Sequence, residues 1–126
     1  MSRESIIEIE GREIGANHPT FVVAEIGANH NQSLDVAKSL VWNAAYAGAD
    51  AVKFQIYKPG CLTIPETGNI DHELWGNISL YDLYEKAAMP WEWYPKLSHY
   101  ARSLGLIPFA SVFSQEGIDF LEGQDC

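Results

Sequence analysis

The sequence is short of cysteine, of long apolar runs and of positive charge, and each shortage removes a class of explanation. Its 126 residues hold two cysteines, Cys61 and Cys126, far apart and outside any Cys-x-x-Cys or Cys/His spacing. Neither a disulfide framework nor a structural zinc site is expected from them, and Cys61 reads as an ordinary reduced thiol. No window approaches the roughly 18 apolar residues that span a bilayer. The opening MSRESIIEIEGREIG also lacks the apolar core of a signal peptide, so a cytoplasmic location is expected. Eight basic residues against 17 acidic ones give a net charge of −9, which offers no long-range attraction to nucleic acid or to anionic lipid. Neither is expected as a partner. An anionic small molecule would have to be held by a few placed cations and backbone N–H groups, and that singles out Lys53 and Lys58.

What the sequence does have is a large apolar share, 47%, in patterned runs that suit one domain with its own core. The run Ile6-Ile7-Glu8-Ile9-Glu10 before Gly11-Arg12 reads as half of a hairpin returning to Ile14, a lid or plug on the rest of the domain. Phe21-Val22-Val23-Ala24-Glu25-Ile26 is apolar on both faces up to Glu25, the pattern of a parallel strand buried on both sides. Ser33 can cap a helix whose apolar positions Leu34, Ala37, Leu40, Val41, Ala44 and Ala45 recur at helical spacing, with Gly48 as its left-handed stop. Residues 50–56 give a second strand, so this is a right-handed βαβ unit. Residues 57–77 show no periodicity and are punctuated by Pro59, Gly60, Pro65, Gly68 and Gly76, which reads as a long functional loop. Helices cover 79–88 and 91–104, with Pro95 either near the start of the second or kinking it, and Gly105 stopping it. A third strand covers 107–113, and Ser114 caps a last helix over 115–122. AYAGADAVKF at 45–54 and ARSLGLIPFA at 101–110 form a weak repeat of helix end, glycine and strand. That is the phase of a β/α barrel or of a doubly wound sheet.

Three polar features sit where β/α enzymes keep their sites, at the carboxyl ends of strands. Glu25, followed by Ile26-Gly27-Ala28-Asn29-His30-Asn31, is a carboxylate near the end of an apolar strand and must be paired or functional. Lys53 and Gln55 are two apart on a strand and so point the same way. An inward ammonium and carboxamide suit an anionic ligand with oxygen acceptors, though Lys53 neutralising Glu25 is the plainer alternative. Ser111 and Ser114 in Ala110-Ser111-Val112-Phe113-Ser114 place hydroxyls and a helix start where an anion can sit, or Ser114 is simply a cap. His30 stands without a second ligand at i+2 or i+4 and reads as a hydrogen-bonded structural residue rather than a metal ligand. Of the aromatic stripe Trp75, Tyr81, Tyr84, Trp91, Trp93 and Tyr94, most read as core, and Trp75, in the loop, is the best candidate to stack on a sugar ring.

The segments FVVAEIGANHN, AGADAVKFQ, ISLYDLYEKAAMPWEW and the hydroxyl-bearing third strand followed by IDFLE resemble the sialic acid synthase family across residues 21–122. LWGNISLYDLY followed by PWEW is most similar to its pseudaminic acid synthase branch. The resemblance implies a (β/α)8 barrel of which this chain carries the first three β/α units, as residues 21–126, after an N-terminal hairpin within residues 1–20. It implies condensation of phosphoenolpyruvate with an N-acetylated amino sugar, by resemblance a 2,4-diacetamido-2,4,6-trideoxy-hexose, to a nine-carbon keto acid plus phosphate. Glu25 would be the catalytic proton mediator by the sugar aldehyde. Lys53 would hold phosphoenolpyruvate, Gln55 a sugar hydroxyl or acetamido group, and Ser111, Asn77 and Tyr81 would also contact substrate. Ala110 and Val112 stand where the family has Ser and Pro in an S-T-P-F segment, which alters the expected shape of the phosphate pocket.

The family's divalent metal, Mn or Mg, is held by two histidines that this chain lacks, and its full-length form is expected to be a homodimer. Three strands cannot close an eight-stranded barrel. The 126 residues alone are therefore expected to be inactive and to associate through exposed edges and apolar faces. The alternative is a non-catalytic remnant of the fold that binds a sugar or a partner chain.

Overall fold

The central layer is three parallel strands in the order β3 (Val23–Glu25), β4 (Ala51–Ile56) and β7 (Ile107–Val112). The computed structural model describes residues 6–66, 68–73 and 76–124. The register aligns Val23 with Ala51 and Ile107, Glu25 with Lys53 and Phe109, and Gln55 with Ser111.

One face of the sheet is packed by α1 (Leu34–Tyr46) and α3 (Tyr94–Ser103). Val52, Phe54 and Ile56 of β4 meet Ala37 and Val41 of α1 and Tyr94, Leu97 and Ala101 of α3 in a core where each is fully buried. The Phe54 and Tyr94 rings stand edge to face, 5.8 Å between centroids. Helical periodicity in 34–45 and strand alternation in 51–56 thus supply the two halves of one core.

The weak sequence repeat is a repeat of structure. Gly48 and Gly105 both adopt positive φ, +86° and +79°. Around each, the glycine N–H reaches back three residues and the next N–H five, to Ala45 and Ala44 after α1 and to Arg102 and Ala101 after α3. This is the Schellman arrangement, which closes the helix and turns the chain into the next strand.

The N-terminal hairpin, β1 (Ile7–Ile9) and β2 (Arg12–Ile14), turns through Glu10 and Gly11, both at positive φ. It packs at the amino ends of the sheet, a plug rather than a lid over the carboxyl ends. Arg12 pairs with Asp50, which precedes β4, and donates to the Gly105 carbonyl at 2.8 Å. Asp50 in turn accepts the Val22 N–H at 2.8 Å, and Glu10 accepts two hydrogen bonds from Arg102 at 2.9 and 3.1 Å.

The structure corrects two expectations. The stretch 57–77 is not one loop: it contains a 3₁₀ turn over Pro59–Cys61 and a second hairpin, β5 (Asn69–His72) with β6 (Gly76–Ser79). Its strands are four residues long with one apolar residue each, Ile70 paired with Ile78, too short for alternation to show. The strand at 21–26 is not buried on both sides. It lies at the sheet edge with Val22 and Val23 48% and 41% exposed, and Val23 in addition points to the face away from the helices, which is uncovered. The helix expected at 91–104 is present, opening as a 3₁₀ turn over Trp91–Trp93, and of the two placements open to Pro95 the structure shows the one near the start, in the first turn of α3. Of the remaining helices, α4 (Gln115–Glu122) carries the expected serine cap, Ser114, and α2 (Leu80–Ala87) is capped by Ser79, which the sequence reading placed inside the helix.

Candidate functional site at the carboxyl ends of the sheet

Strand alternation sends Ala24, Val52, Phe54, Ile56, Ala110 and Val112 into the helical core. Their neighbours Glu25, Lys53, Gln55 and Ser111 therefore share the opposite face. This face runs from an apolar floor of Val23, Ala51 and Ile107 at the amino ends, beneath Ile9 of the hairpin, to polar groups at the carboxyl ends.

Lys53 Nζ lies 2.7 Å from Glu25 Oε2, and Glu25 Oε1 accepts the Gly27 N–H at 2.9 Å. Both carboxylate oxygens are thus engaged. The Lys53 and Glu25 side chains keep 34% and 40% of their surface, so this is not the buried charge that the strand pattern led us to expect. A pair this exposed stabilises the fold by about 1 kcal/mol or less, and the ammonium can turn to another anion at small cost. Gln55 is half-buried one step further along β4, beside half-buried Ser111 on β7.

Lys58, the other candidate cation, is tied to Glu116 of α4 and lies 5.0 Å above the Trp91 ring. It is committed to holding α4 against the chain after β4. Ser114 acts as the helix cap, its oxygen accepting the Gly117 N–H at 3.2 Å. Asn77 is exposed on β6 and Tyr81 half-buried on α2. Among the described residues, no hydrogen bond or ring contact joins these two to Glu25, Lys53 or Gln55. Trp75 lies outside the described residues.

Sequence reading missed Tyr57, which continues the alternation Lys53, Gln55, Tyr57 and is 4% exposed. Its ring stands edge to face with Tyr84 and Phe113, at 6.1 and 5.9 Å, making an aromatic wall beyond the polar groups. Burial, with the neighbouring Tyr84, raises its phenol above the usual range. The i+2 spacing was the available signal. His30 is fully buried, as a structural residue should be, and burial lowers its imidazole below the ordinary value. Among the described residues, no three His, Cys, Asp or Glu side chains gather closely enough to hold a metal ion, and no helix is long and apolar enough to cross a membrane.

Comparison with known proteins gives this geometry a context. Residues 40–126 match the NeuB family. The chain is 41% identical over 111 residues to the pseudaminic acid synthase of Helicobacter pylori, covering 86% of this chain and 33% of that protein. It is 41% identical over 108 residues to a pseudaminic acid synthase of Campylobacter jejuni, covering 83% of this chain and 32% of that protein. The chain thus spans about a third of the length of the curated relatives it matches. Its fold matches the crystal structure of the N-acetylneuraminic acid synthetase of Leptospira borgpetersenii in complex with citrate, with a TM-score of 0.78 at 24% identity over 97% of this chain and 40% of that one.

Proposed function

This chain belongs to the NeuB family, and from that premise we propose that it supplies the opening strands of the barrel of a nonulosonic acid synthase. In this reading residues 21–126 are the first three β/α units, and the hairpin within residues 1–20 plugs the barrel floor. The substrates are phosphoenolpyruvate and an N-acetylated amino sugar. The level of identity to pseudaminic acid synthases, 41%, supports a 2,4-diacetamido-2,4,6-trideoxy-hexose. The whole enzyme works in the cytoplasm as a homodimer.

The observation that carries the reading is the Glu25–Lys53 pair, 2.7 Å apart on an open strand face beside Gln55 and Ser111. The enol carbon of phosphoenolpyruvate forms a bond to the sugar aldehyde carbon, water adds at the neighbouring carbon, and phosphate leaves. The new alkoxide must gain a proton and the attacking water must lose one. Glu25, fixed by the Gly27 N–H, is the group that handles these protons. Lys53 turns from Glu25 to the phosphoenolpyruvate anion, Gln55 meets a sugar hydroxyl or acetamido oxygen, and Ser111 donates to phosphate. Asn77 and Tyr81 approach the sugar from the β5–β6 arm and α2. The described residues do not fit the family's divalent metal, since they offer no cluster of ligands, and no step here runs through one.

Calorimetric titration of phosphoenolpyruvate into the chain and into Lys53→Ala tests the reading. Loss of one charge-assisted contact should weaken binding about tenfold or more. Equal affinity in the two proteins refutes the role given to Lys53.

A further inference from the structure

Two consecutive residues that are not glycine, Asn31 and Gln32, hold left-handed backbone at φ +46° and +54°. L side chains adopt this conformation rarely, so the surroundings must over-determine it. Three sets of contacts do. His30, fully buried, accepts the Gln32 N–H on Nδ1 at 3.1 Å. The Ser33 N–H donates to the His30 carbonyl at 2.9 Å. The Gln32 carboxamide nitrogen donates to the Lys86 and Ala88 carbonyls, at 2.8 and 2.6 Å, at the C-terminal end of α2. An Nδ1 that accepts carries no proton, so the ring is neutral with its proton on Nε2. That atom is buried without a hydrogen-bond partner among the described residues, and the ring stands edge to face with Trp93 at 5.6 Å.

The other end of this segment holds Glu25. The Gly27 N–H grips the carboxylate, the Ile26 N–H is bonded to the Lys53 carbonyl at 3.0 Å, and Asn29 binds the Ile26 carbonyl through its backbone N–H and through its side chain. The path of the chain from Ile26 to Gln32 therefore sets where the Gly27 N–H meets the carboxylate, and it is fastened to β4 at Ile26 and to α2 at Gln32.

We propose that Gln32, held left-handed by His30, is a positioning residue that fixes Glu25 relative to α2, so that movement of α2, which bears Tyr81, reaches the carboxylate. The consequence for catalysis rests on the reading of Glu25 as the proton-handling group. A sugar that engages Tyr81 of α2 then adjusts the base it is to meet.

Amide NMR of the full chain tests this with two substitutions. Gln32→Glu is isosteric but turns an oxygen toward the two carbonyls, whereas Gln32→Arg restores donors. In Gln32→Glu the Gly27 amide proton should move upfield and lose about tenfold or more of its exchange protection, while the Phe54 amide in β4 stays unchanged. Gln32→Arg should return Gly27 toward the parent. An unmoved Gly27 amide in folded Gln32→Glu overturns the proposal. If that variant does not fold, the parent chain decides, because coupled Gly27 and Gln32 amides must exchange through one opening with similar protection; protection differing by more than about tenfold overturns it. Adding phosphoenolpyruvate to the same samples separates the two readings. Absence of binding to the parent removes the proposed site, whereas the Gly27 response tests the coupling with or without ligand.

Discussion

Glu25 has both carboxylate oxygens engaged, and the buried ring five residues on has one nitrogen in use and one without a hydrogen-bond partner among the described residues. For His30 this has a consequence in pH. Burial lowers its imidazole below the ordinary 6.5, so as pH falls the unfolded chain takes up the proton before the folded chain does. The stability contributed by neutral His30 is complete above 6.5 and is lost as pH falls from there through the folded value. Thermal melts should show Tm declining in this window for the parent and staying flatter for His30→Gln, which has no ring to protonate. Parallel slopes in the two proteins would refute this account of His30. A second decline belongs lower, below 4.5, where Glu10 is protonated. The hydrogen bonds and charge of Arg102 hold that carboxyl below its ordinary value, so its contribution is lost as pH falls through the folded value. At this scale the sequence revealed Lys53 and Gln55 through their i+2 spacing. It did not reveal Gln32, whose partners are backbone carbonyls 54 and 56 residues away.

Among the elements, α4 separates two meanings of a serine near a candidate anion site. Ser114 caps the helix through the Gly117 N–H, whereas Ser111 lies on β7 opposite Gln55. Ser114→Ala should cost about 1 kcal/mol of stability and leave phosphoenolpyruvate affinity unchanged. Ser111→Ala should weaken that affinity with little effect on stability. Chemical denaturation and calorimetry on both variants check this, and the opposite assignment of effects would move the anion contact to Ser114. Elements whose signals are local were legible: the serine caps at 33 and 114, and the glycines that close α1 and α3. The β5–β6 hairpin was not, because a pair of four-residue strands with a single apolar cross-strand pair, Ile70 and Ile78, leaves no periodicity to read.

For the whole molecule, the parallel sheet and helical layer arise from patterning, but what covers each face does not. A strand apolar on both sides carries the signature of double burial whether or not its second neighbour is present. Val22, Val23, Phe109 and Phe113 are 48%, 41%, 38% and 44% exposed, and β3 and β7 are the outer strands of the sheet. Unpaired edges beside apolar surface favour association. Size-exclusion chromatography with light scattering on this chain should therefore show species larger than a monomer. A sharp monomer that unfolds cooperatively would contradict that expectation. The central claim is chemical, that Lys53 leaves Glu25 to hold an anion. It is tested most directly by extending the phosphoenolpyruvate titration to a third protein, Glu25→Gln, which frees Lys53 from its carboxylate. Binding should be retained or tightened in Glu25→Gln and lost in Lys53→Ala; the same affinity in the parent and both variants would contradict it.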